Sequence, residues 1–391
     1  MTMDGPVVVI GGGVVGASVA WHLVSQGWRN IVVVDRAAGP GEGSTGRATG
    51  GYRAQYGTDI NVRLSLLTRE KLRHFPEEVG ADPGYAPVGY LWIAATEWEL
   101  AELRRGLPVQ HAAGLTESRE IDAAEVLEIN PALAPDGIVG GTWCPTDGYI
   151  RPLSILAGYL ADARRRGVRT MWETEVTGFE RSGPGGSGRI TGVRTNRGPI
   201  AAEIVVNAAG AWAGAIASLA GVRLQVEPLR RCIVPTEPCN LLPADMPMTI
   251  FAGDGFHLRV RDGRVLLAYP APGSESDPYD CRVESGWIDE VAGKAATRVP
   301  ALAGVALERS GAWGGLYEVS PDKHAILGPA PECENFYLVN GSSGHGVMHA
   351  PALGHLLAEL ITDGRAITID TTPLRPTRFA EGEPNPVSGL L

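Results

Sequence analysis

The chain has 391 residues, of which 44% are hydrophobic and 20% charged, and its formal net charge is −10. This composition is that of a globular protein with enough apolar residues for two or three domains, and the acidic balance without a basic stripe argues against a nucleic-acid partner. The five cysteines are scattered without a Cys-x-x-Cys pair, so we expect no disulfide scaffold and no metal site, and we predict a cytoplasmic location.

The first 35 residues are predicted to form a strand, a helix and a second strand. Residues 6–10 and 31–34 are short apolar runs typical of buried parallel strands. Residues 14–26 between them have a helical pattern, which Gly27 ends. This order predicts the beginning of a βαβ unit.

Two apolar stretches resemble membrane segments only in hydropathy. Residues 6–23 are interrupted by the glycines at 11–13. Residues 205–222 carry no charge, but they are rich in alanine and glycine and fit a strand, a turn and a buried helix better. We therefore expect no integral membrane segment.

Residues 11–16 read Gly-Gly-Gly-Val-Val-Gly, which fits the dinucleotide-binding pattern G-x-G-x-x-G. In this pattern Gly11 permits a tight turn, and Gly13 lets backbone N–H groups approach a pyrophosphate. Gly16 lets the following helix pack closely on the strand.

The residues around this motif support its assignment to dinucleotide binding. Val14 and Val15 begin the helix, whose N-terminus carries partial positive charge that favours phosphate. Asp35 ends the second strand, where a carboxylate accepts hydrogen bonds from an adenosine ribose. An acidic residue there argues against the 2′-phosphate of NADP, whereas FAD and NAD both stay open on this motif alone.

After the second strand, residues 40–57 are rich in glycine, serine and arginine and lack apolar periodicity. A disordered linker would have this composition, but an open α/β sheet places its ligand loops directly after its strands, which favours a loop around a cofactor. The remaining patterns predict helices over 60–75, 99–106, 152–166 and 351–363, strands over 168–181, 189–197, 202–207 and within 221–312, and a hairpin tip at 183–188.

Four groups of residues together carry a resemblance to a known family. They are the dinucleotide motif ending in Asp35-Arg36, the segment Gly43-Ser44-Thr45-Gly46-Arg47 with Arg53 and Tyr56-Gly57, the segment Asn207-Ala208-Ala209-Gly210-Ala211-Trp212, and two C-terminal segments, Trp313-Gly314-Gly315-Leu316-Tyr317-Glu318 with Pro321-Asp322 and Ser343-Gly344-His345-Gly346-Val347-Met348. With them the chain resembles the D-amino-acid-oxidase-like superfamily of FAD-dependent amine oxidoreductases, from about residue 6 to residue 365. The most similar branches are sarcosine oxidase and the catalytic subunit of dye-linked L-proline dehydrogenase.

The resemblance implies an α/β fold, α+β overall, in which a Rossmann-like FAD-binding domain is interleaved with a smaller substrate domain built on an antiparallel sheet. The expected FAD-binding domain collects residues 1–85, 147–220 and 325–375. The expected substrate domain collects residues 86–146 and 221–324.

The same resemblance assigns a set of positions to FAD through backbone groups, hydroxyls or close packing. They are Gly11, Gly13, Val14, Val15, Gly16, Asp35, Arg36, Ser44, Thr45, Val176, Ala209, Gly210, Trp212, Gly315, Leu316, Gly344, His345, Gly346 and Met348. The backbone from Gly344 to Met348 is expected to pass close to the flavin ring, where N–H donors stabilise the negative charge of reduced flavin. Monomeric sarcosine oxidase attaches its flavin through a cysteine where this chain has Gly315, so we expect the FAD to be non-covalent.

Four residues are candidates for acting on the substrate. Arg53 stands three residues before Tyr56-Gly57, as does the arginine that binds the substrate carboxylate in sarcosine oxidase, and a guanidinium can clamp a carboxylate through two parallel hydrogen bonds. The alternative is a surface arginine in a polar loop. Tyr317 matches a tyrosine of the same pocket, or is a packed aromatic side chain. His257 and Arg259 are candidate basic groups near flavin N5, with a core or surface role equally open.

One further departure bears on the substrate. Sarcosine oxidases have a lysine where this chain has Met348, which puts sarcosine itself in doubt. The predicted function is oxidation of a secondary amine or small amino acid, such as sarcosine, proline or another N-alkyl amino acid, by hydride transfer to flavin N5, with oxygen or a quinone or dye as acceptor.

Three alternatives stay open on the sequence. The chain could be a partner-dependent flavoprotein subunit of a dye-linked dehydrogenase complex, since relatives work in heteromeric complexes, and a homo-oligomer is equally compatible. An NAD-dependent dehydrogenase would share the N-terminal motif but would not need the Ser-Gly-His-Gly loop. A hydrolase is disfavoured because residues 341–345 do not form a G-x-S-x-G turn.

Overall fold

The computed structural model describes residues 3–183, 188–271 and 277–387, so residues 184–187 of the predicted hairpin tip lie outside the described residues. The described strands are β1 (Val7–Ile10), β2 (Ile31–Val34), β3 (Gly51–Tyr52), β4 (Tyr90–Ala94), β5 (Arg119–Asp122), β6 (Gly140–Cys144), β7 (Gly148–Tyr149), β8 (Arg169–Met171), β9 (Val176–Arg181), β10 (Ile190–Thr195), β11 (Gly198–Ala201), β12 (Ile204–Asn207), β13 (Glu227–Pro235), β14 (Met248–Phe251), β15 (His257–Arg261), β16 (Arg264–Pro270), β17 (Trp313–Val319), β18 (Ile326–Ala330) and β19 (Cys333–Asn340). The described α-helices are α1 (Val14–Ser25), α2 (Ser44–Arg47), α3 (Asp59–Arg73), α4 (Phe75–Glu78), α5 (Glu97–Ala112), α6 (Ala123–Ile129), α7 (Pro152–Arg165), α8 (Ala213–Leu219), α9 (Ser285–Arg298), α10 (Gly346–Asp363) and α11 (Arg378–Glu381).

A six-stranded sheet has the order β18-β19-β12-β1-β2-β8 and is parallel except for β18, which pairs antiparallel with β19. Every residue of β1 and β2 is buried because both faces of the sheet are covered. One face packs against α1, α7 and α10, and the other against the three-stranded sheet β11-β10-β9. The parallel order brings the carboxyl ends of β1, β2 and β12 to one edge, where open α/β sheets bind their ligands.

An eight-stranded sheet has the order β17-β13-β16-β15-β14-β4-β6-β5 and is antiparallel apart from the β14–β4 pair. The side chains on one face, such as Leu91 and Leu267, form a second core with Trp287 and Val291 of α9. Side chains of the opposite parity, such as Trp92, face the cavity that lies between the two large sheets.

The two large sheets are interleaved along the chain. The six-stranded sheet takes its strands from residues 7–34, 169–207 and 326–340, and the eight-stranded sheet from residues 90–144 and 227–319. The predicted fold class, with a parallel nucleotide-binding sheet and an antiparallel second sheet, is confirmed. The exact domain boundaries stay a prediction.

The element prediction was wrong in several places, of which two bear on the cavity. The segment 40–57 was expected to lack regular structure, but it contains the short helix α2 and the strand β3, which pairs with β7. The last long helix was expected over 351–363 but begins at Gly346, with Pro351 inside it. Proline disfavours a helix interior, yet α10 is buried against α1 and α3, and this packing outweighs the lost hydrogen bond.

None of the helices within the described residues is long and apolar enough to cross a membrane.

Candidate functional site

A cavity of about 1160 Å³ lies between the carboxyl edge of the six-stranded sheet and the open face of the eight-stranded sheet. Ligand pockets commonly measure about 300–1,000 Å³, so this cavity has room for a dinucleotide together with a small substrate. Most of the predicted site residues line it, namely Gly11, Gly13, Val14, Val15, Asp35, Arg36, Ser44, Thr45, Arg53, Val176, Ala209, Gly210, Trp212, His257, Gly315, Leu316, Tyr317, Gly344, His345, Gly346 and Met348. Gly16 and Arg259 are not part of its lining.

The turn between β1 and α1 depends on glycine for both conformation and space. Gly11 has a φ of +110°, and a Cβ on it would lie 2.3 Å from the carbonyl oxygen of Ala208. A Cβ on Gly16 would lie 2.0 Å from the carbonyl oxygen of Gly11. Gly16 therefore serves the close packing of α1 on the turn, which is why it does not line the cavity.

The N-terminus of α1 faces the cavity with no acidic residue in its first turn. The backbone N–H of Val14 donates to Oγ1 of Thr45 at 3.1 Å. At the end of β2, the carboxylate of Asp35 accepts from the N–H groups of Gly12 at 2.7 Å and Ala37 at 2.8 Å. The helix end favours phosphate, and the fixed carboxylate favours a ribose hydroxyl, so this edge fits a dinucleotide.

The segment containing α2 is held against β17 of the other sheet. The Ser44 hydroxyl donates to the carbonyl oxygen of Leu316 at 2.6 Å. Arg47 Nη1 donates to the carbonyl oxygen of Gly314 at 2.8 Å, and Trp313 Nε1 donates to that of Arg47 at 2.9 Å. These hydrogen bonds hold the segment containing α2 against the eight-stranded sheet, and they explain why the segment is ordered despite its polar sequence.

Aromatic and cationic groups stack at the end of the cavity next to β12. The guanidinium of Arg36 lies 4.4 Å from the ring centroid of Trp212. The Trp212 ring is stacked on Tyr279, with centroids 5.6 Å apart and 8° between the planes. This stack fixes Trp212 beside the glycine turn.

The turn that precedes α10 follows β19, which is parallel to β12, so it reaches the cavity from the same carboxyl edge of the six-stranded sheet. A Cβ on Gly344 would lie 2.4 Å from Cε2 of Tyr317, so backbone and ring are in contact. The N–H of Ser343 donates to the carbonyl oxygen of Glu318 at 2.9 Å. The first turn of α10 also lacks an acidic residue, so its N–H groups present partial positive charge to the cavity.

Arg53 is buried in an aromatic cage that opens into the cavity. Its guanidinium carbon lies 4.8 Å from the ring centroid of Tyr56, 4.9 Å from that of Trp92 and 5.9 Å from that of Tyr90. Its Nη2 lies 3.2 Å from Nε2 of His345. Among the described residues, no carboxylate lies within 4.0 Å of its nitrogens, and its Nε is buried without a hydrogen-bond partner.

This geometry sets the proton positions on His345. A guanidinium can only donate, so Nε2 of His345 is the acceptor and the ring is neutral. Burial, and next the positive charge of Arg53, hold the pKa of His345 well below the usual histidine value. Beside it, the Tyr56 hydroxyl donates to Sδ of Met348 at 3.0 Å, so Met348 is fixed where sarcosine oxidases have a lysine.

The floor of the substrate side is one row of residues across the eight-stranded sheet. Strand register aligns them side by side on six neighbouring strands, in the order Ile233, Ala268, His257, Ile250, Trp92 and Thr142. All of them line the cavity. Apart from Thr142 and His257 the row is apolar, which places one titratable group at the centre of the floor.

His257 is neutral and its acceptor nitrogen is defined. Its Nδ1 donates to the carbonyl oxygen of Gly255 at 2.9 Å, which leaves Nε2 as the acceptor. Burial lowers the pKa of His257 to about 4, and the positive charges of Arg53 and Arg231 contribute to the decrease.

Arg259 lies on the same strand as His257 but does not reach the cavity. Its Nη1 donates to the carbonyl oxygens of Thr49 at 2.9 Å and Gly50 at 3.0 Å. Its guanidinium carbon lies 3.6 Å from the ring centroid of Tyr149. This geometry favours a structural role for Arg259, which holds the segment between α2 and β3, over the predicted role in catalysis.

Tyr90, Trp92, Arg231 and Glu318 are among the cavity residues that were not predicted as site residues from the sequence. Tyr90 and Trp92 were detectable as bulky aromatic residues at alternate positions of one short apolar run. Glu318 is half-buried as a residue, but its Oε2 is buried without a hydrogen-bond partner, and burial of the carboxyl raises its pKa to about 7. No sequence signal shows that the carboxyl of Glu318 would be buried, because this depends on the packing of β17 against the turn before α10.

A glycine turn at a parallel sheet edge, facing an apolar floor with a buried arginine, defines a dinucleotide-dependent enzyme with a separate side for a small substrate. The family model described as FAD dependent oxidoreductase (DAO) matches residues 6–360 of this chain. The chain therefore belongs to that family, and its cofactor is FAD. The predicted family and cofactor are confirmed, and the NAD-dependent dehydrogenase and hydrolase alternatives lose their support.

Individual proteins match over nearly the whole chain. FAD-dependent oxidoreductase domain-containing protein 1 of Bos taurus is 31% identical, over 96% of this chain and 85% of its own length. Glycine oxidase of Geobacillus kaustophilus is 28% identical, over 97% of this chain and 98% of its own length. The crystal structure of L-proline dehydrogenase from P. horikoshii has a TM-score of 0.87 at 30% identity and covers 98% of this chain and 100% of its own.

Proposed function

We propose that this enzyme oxidises a small amino acid or secondary amine at the carbon next to nitrogen, giving an imine that water then hydrolyses. The observation that carries the proposal is the buried guanidinium of Arg53, which opens into the cavity and has no carboxylate of the described residues within 4.0 Å. A buried charge without a counter-ion is costly, and the carboxylate of an amino acid would supply the anion through two parallel hydrogen bonds.

The named relatives support this substrate class. Glycine oxidase and L-proline dehydrogenase act, by their names, on amino acids, and both match this chain along nearly all of its length. Sarcosine, proline and other N-alkyl amino acids are therefore the first substrates to test. The aromatic cage around Arg53 limits the room beside the carboxylate, which favours small molecules.

The cavity floor keeps the amine in the form that can be oxidised. A protonated amine has no lone pair to donate, so the neutral form must be bound. Neutral His257 presents Nε2 as an acceptor for an amine N–H, and the positive charge of Arg53 disfavours an ammonium ion nearby. Tyr317, packed against Gly344, closes the side of the cavity next to the turn before α10.

The cofactor side is assigned to the residues named from the sequence. When bound, FAD accepts the hydride at its flavin N5. The turn at residues 11–16 and the hydroxyl of Thr45 would hold its pyrophosphate, and the turn before α10 would lie against the flavin. We propose that no thioether forms at Gly315, because this position has no side chain. The cytoplasmic location predicted from the cysteines belongs to the same proposal.

The test is anaerobic mixing of the purified, FAD-loaded chain with a panel of amino acids and amines. Bleaching of the flavin absorbance by at least one N-alkyl or small amino acid is expected, and no bleaching by any of them would overturn the proposal. Air is then admitted. Hydrogen peroxide identifies oxygen as the acceptor, whereas turnover only with an added quinone or dye identifies a dehydrogenase. Turnover by the chain alone would exclude an obligate partner subunit.

A further inference from the structure

A second arginine, Arg231, lines the same cavity from the opposite side of the floor. It lies on β13, opposite Pro270 of β16 and Gly315 of β17. Since side chains alternate along a strand, Arg231 shares its face with Ile233, which belongs to the floor row.

The charge of Arg231 has no counter-ion among the described residues. No carboxylate of theirs lies within 4.0 Å, its Nη1 donates to the carbonyl oxygen of Arg230 at 3.1 Å, and its guanidinium carbon lies 5.5 Å from the ring centroid of Tyr317. The preceding residue gives the contrast. Arg230 points to the other face of the strand and is paired with Glu284 at 2.8 Å and Asp280 at 4.0 Å. One strand thus presents a neutralised arginine to one face and an unneutralised one to the cavity.

The two cavity arginines lie on opposite sides of His257. Trp92, which contacts Arg53, and the strand that carries Arg231 are separated by β14, β15 and β16. Neighbouring strands are about 4.8 Å apart, so one carboxylate on Arg53 does not also neutralise Arg231. The positive charges of both arginines contribute to the low pKa of His257, which agrees with its position between them.

We infer that Arg231 binds a second carboxylate of the substrate, so that the preferred substrate is an amino acid with two carboxylates. The first would lie on Arg53, the reacting C–N bond would lie near His257, and the second would reach Arg231. The second carboxylate can be carried by the side chain or by the nitrogen substituent, and the recognition chemistry is the same for both. This inference rests on the proposed function, because it names the substrate class of the same site.

The first measurement is independent of turnover. Non-reactive ligands, glutarate and succinate against butyrate and acetate, are titrated into the FAD-loaded protein, and binding is followed by the change in flavin absorbance. We expect the dicarboxylates to bind at least about tenfold more tightly, since a hydrogen bond to a charged group contributes about 1.5–3 kcal/mol. The variant R231Q should lose this preference, R231K should keep most of it, and R282Q, at a side chain 84% exposed, should not change it.

The second measurement uses substrates. Glutamate carries its second carboxylate on the side chain, N-(2-carboxyethyl)glycine carries it on nitrogen, and sarcosine and proline have only one. We expect kcat/KM for one of the first two to exceed that for sarcosine and proline, and R231Q to lower only the dicarboxylate value, by about tenfold or more.

Three results would overturn the inference. The first is equal affinity of the unmodified protein for mono- and dicarboxylates. The second is an equal decrease of the affinity for both ligand classes in R231Q. The third is loss of FAD from R231Q, which would assign Arg231 to the cofactor. If no amine is oxidised but dicarboxylates bind through Arg231, the proposed function fails and the anion site stands. If amines are oxidised without a dicarboxylate preference, the proposed function stands and the inference about Arg231 fails.

Discussion

The two sides of the cavity are built in different ways. At the carboxyl edge of the six-stranded sheet, backbone groups from the turns before α1 and α10, and from the N-termini of these two helices, form the surface, and glycines give access to them. On the floor of the eight-stranded sheet, single side chains from six strands form the surface. A backbone site tolerates almost no change at its glycines, whereas a side-chain site can be altered one residue at a time.

The largest effect is expected at the backbone site. In G11A the new Cβ would lie 2.3 Å from a backbone oxygen, at a residue whose φ is +110°. Relief of the clash or of the backbone strain would require the backbone of the turn to move. We expect the purified variant to lack FAD, shown by loss of absorbance near 450 nm relative to 280 nm. The control is G57A, a cavity glycine with nothing within 4 Å of its Cβ position. Equal FAD content in G11A and the unmodified protein would contradict the account of this turn.

The next effect concerns the substrate side of the cavity and should leave FAD binding unchanged. Replacing Arg53 in R53Q removes the charge but keeps a polar side chain in the aromatic cage. We expect kcat/KM for the best amino acid to fall by about 100-fold or more, because a charge-assisted pair is lost from a buried site. An amine without a carboxylate should be affected much less. A uniform loss for both compounds would show that Arg53 supports the cavity rather than the substrate.

A smaller effect is expected where the two sides meet, at Glu318. Burial raises its pKa to about 7, so the folded chain keeps the proton in the range where the unfolded chain has lost it. Stability should therefore fall as the pH rises from about 4.5 to 7, and the loss should persist above 7. E318Q should remove this contribution and be about 1–3 kcal/mol more stable than the unmodified protein at pH 8. Thermal unfolding between pH 4 and pH 8 measures the difference, and parallel pH profiles of the two proteins would contradict it.

The smallest effect is expected at Arg259. R259K keeps the charge but loses the flat guanidinium that donates to two carbonyl oxygens and stacks on Tyr149. We expect a loss of about 1 kcal/mol in the free energy of unfolding, measured by urea denaturation, with kcat within about twofold. A large fall in kcat without a change in stability would restore the catalytic role predicted from the sequence.

The same contrast explains what could be predicted from the sequence. The glycine turn, Asp35 and the Ser-Gly-His-Gly turn are local patterns, and the structure places all of them on one cavity. The floor could not be predicted in the same way. Arg231 and Trp92 are far apart in sequence, and only the strand order brings them onto one face of the same sheet. Arg259 shares its strand face with His257, but its guanidinium is held by the carbonyl oxygens of Thr49 and Gly50 and by the Tyr149 ring, which strand periodicity does not show. Local periodicity gives the faces of a strand but not the identity of its neighbours.

A crystal structure of the FAD-loaded chain with a small non-reactive carboxylate would test the central claim most directly. The account predicts the pyrophosphate at the glycine turn and the carboxylate about 2.7–2.9 Å from the Arg53 guanidinium, above the row that contains His257. A carboxylate bound elsewhere in the cavity, or an Arg53 side chain engaged by the cofactor itself, would contradict the division into a backbone side for FAD and a side-chain floor for the substrate.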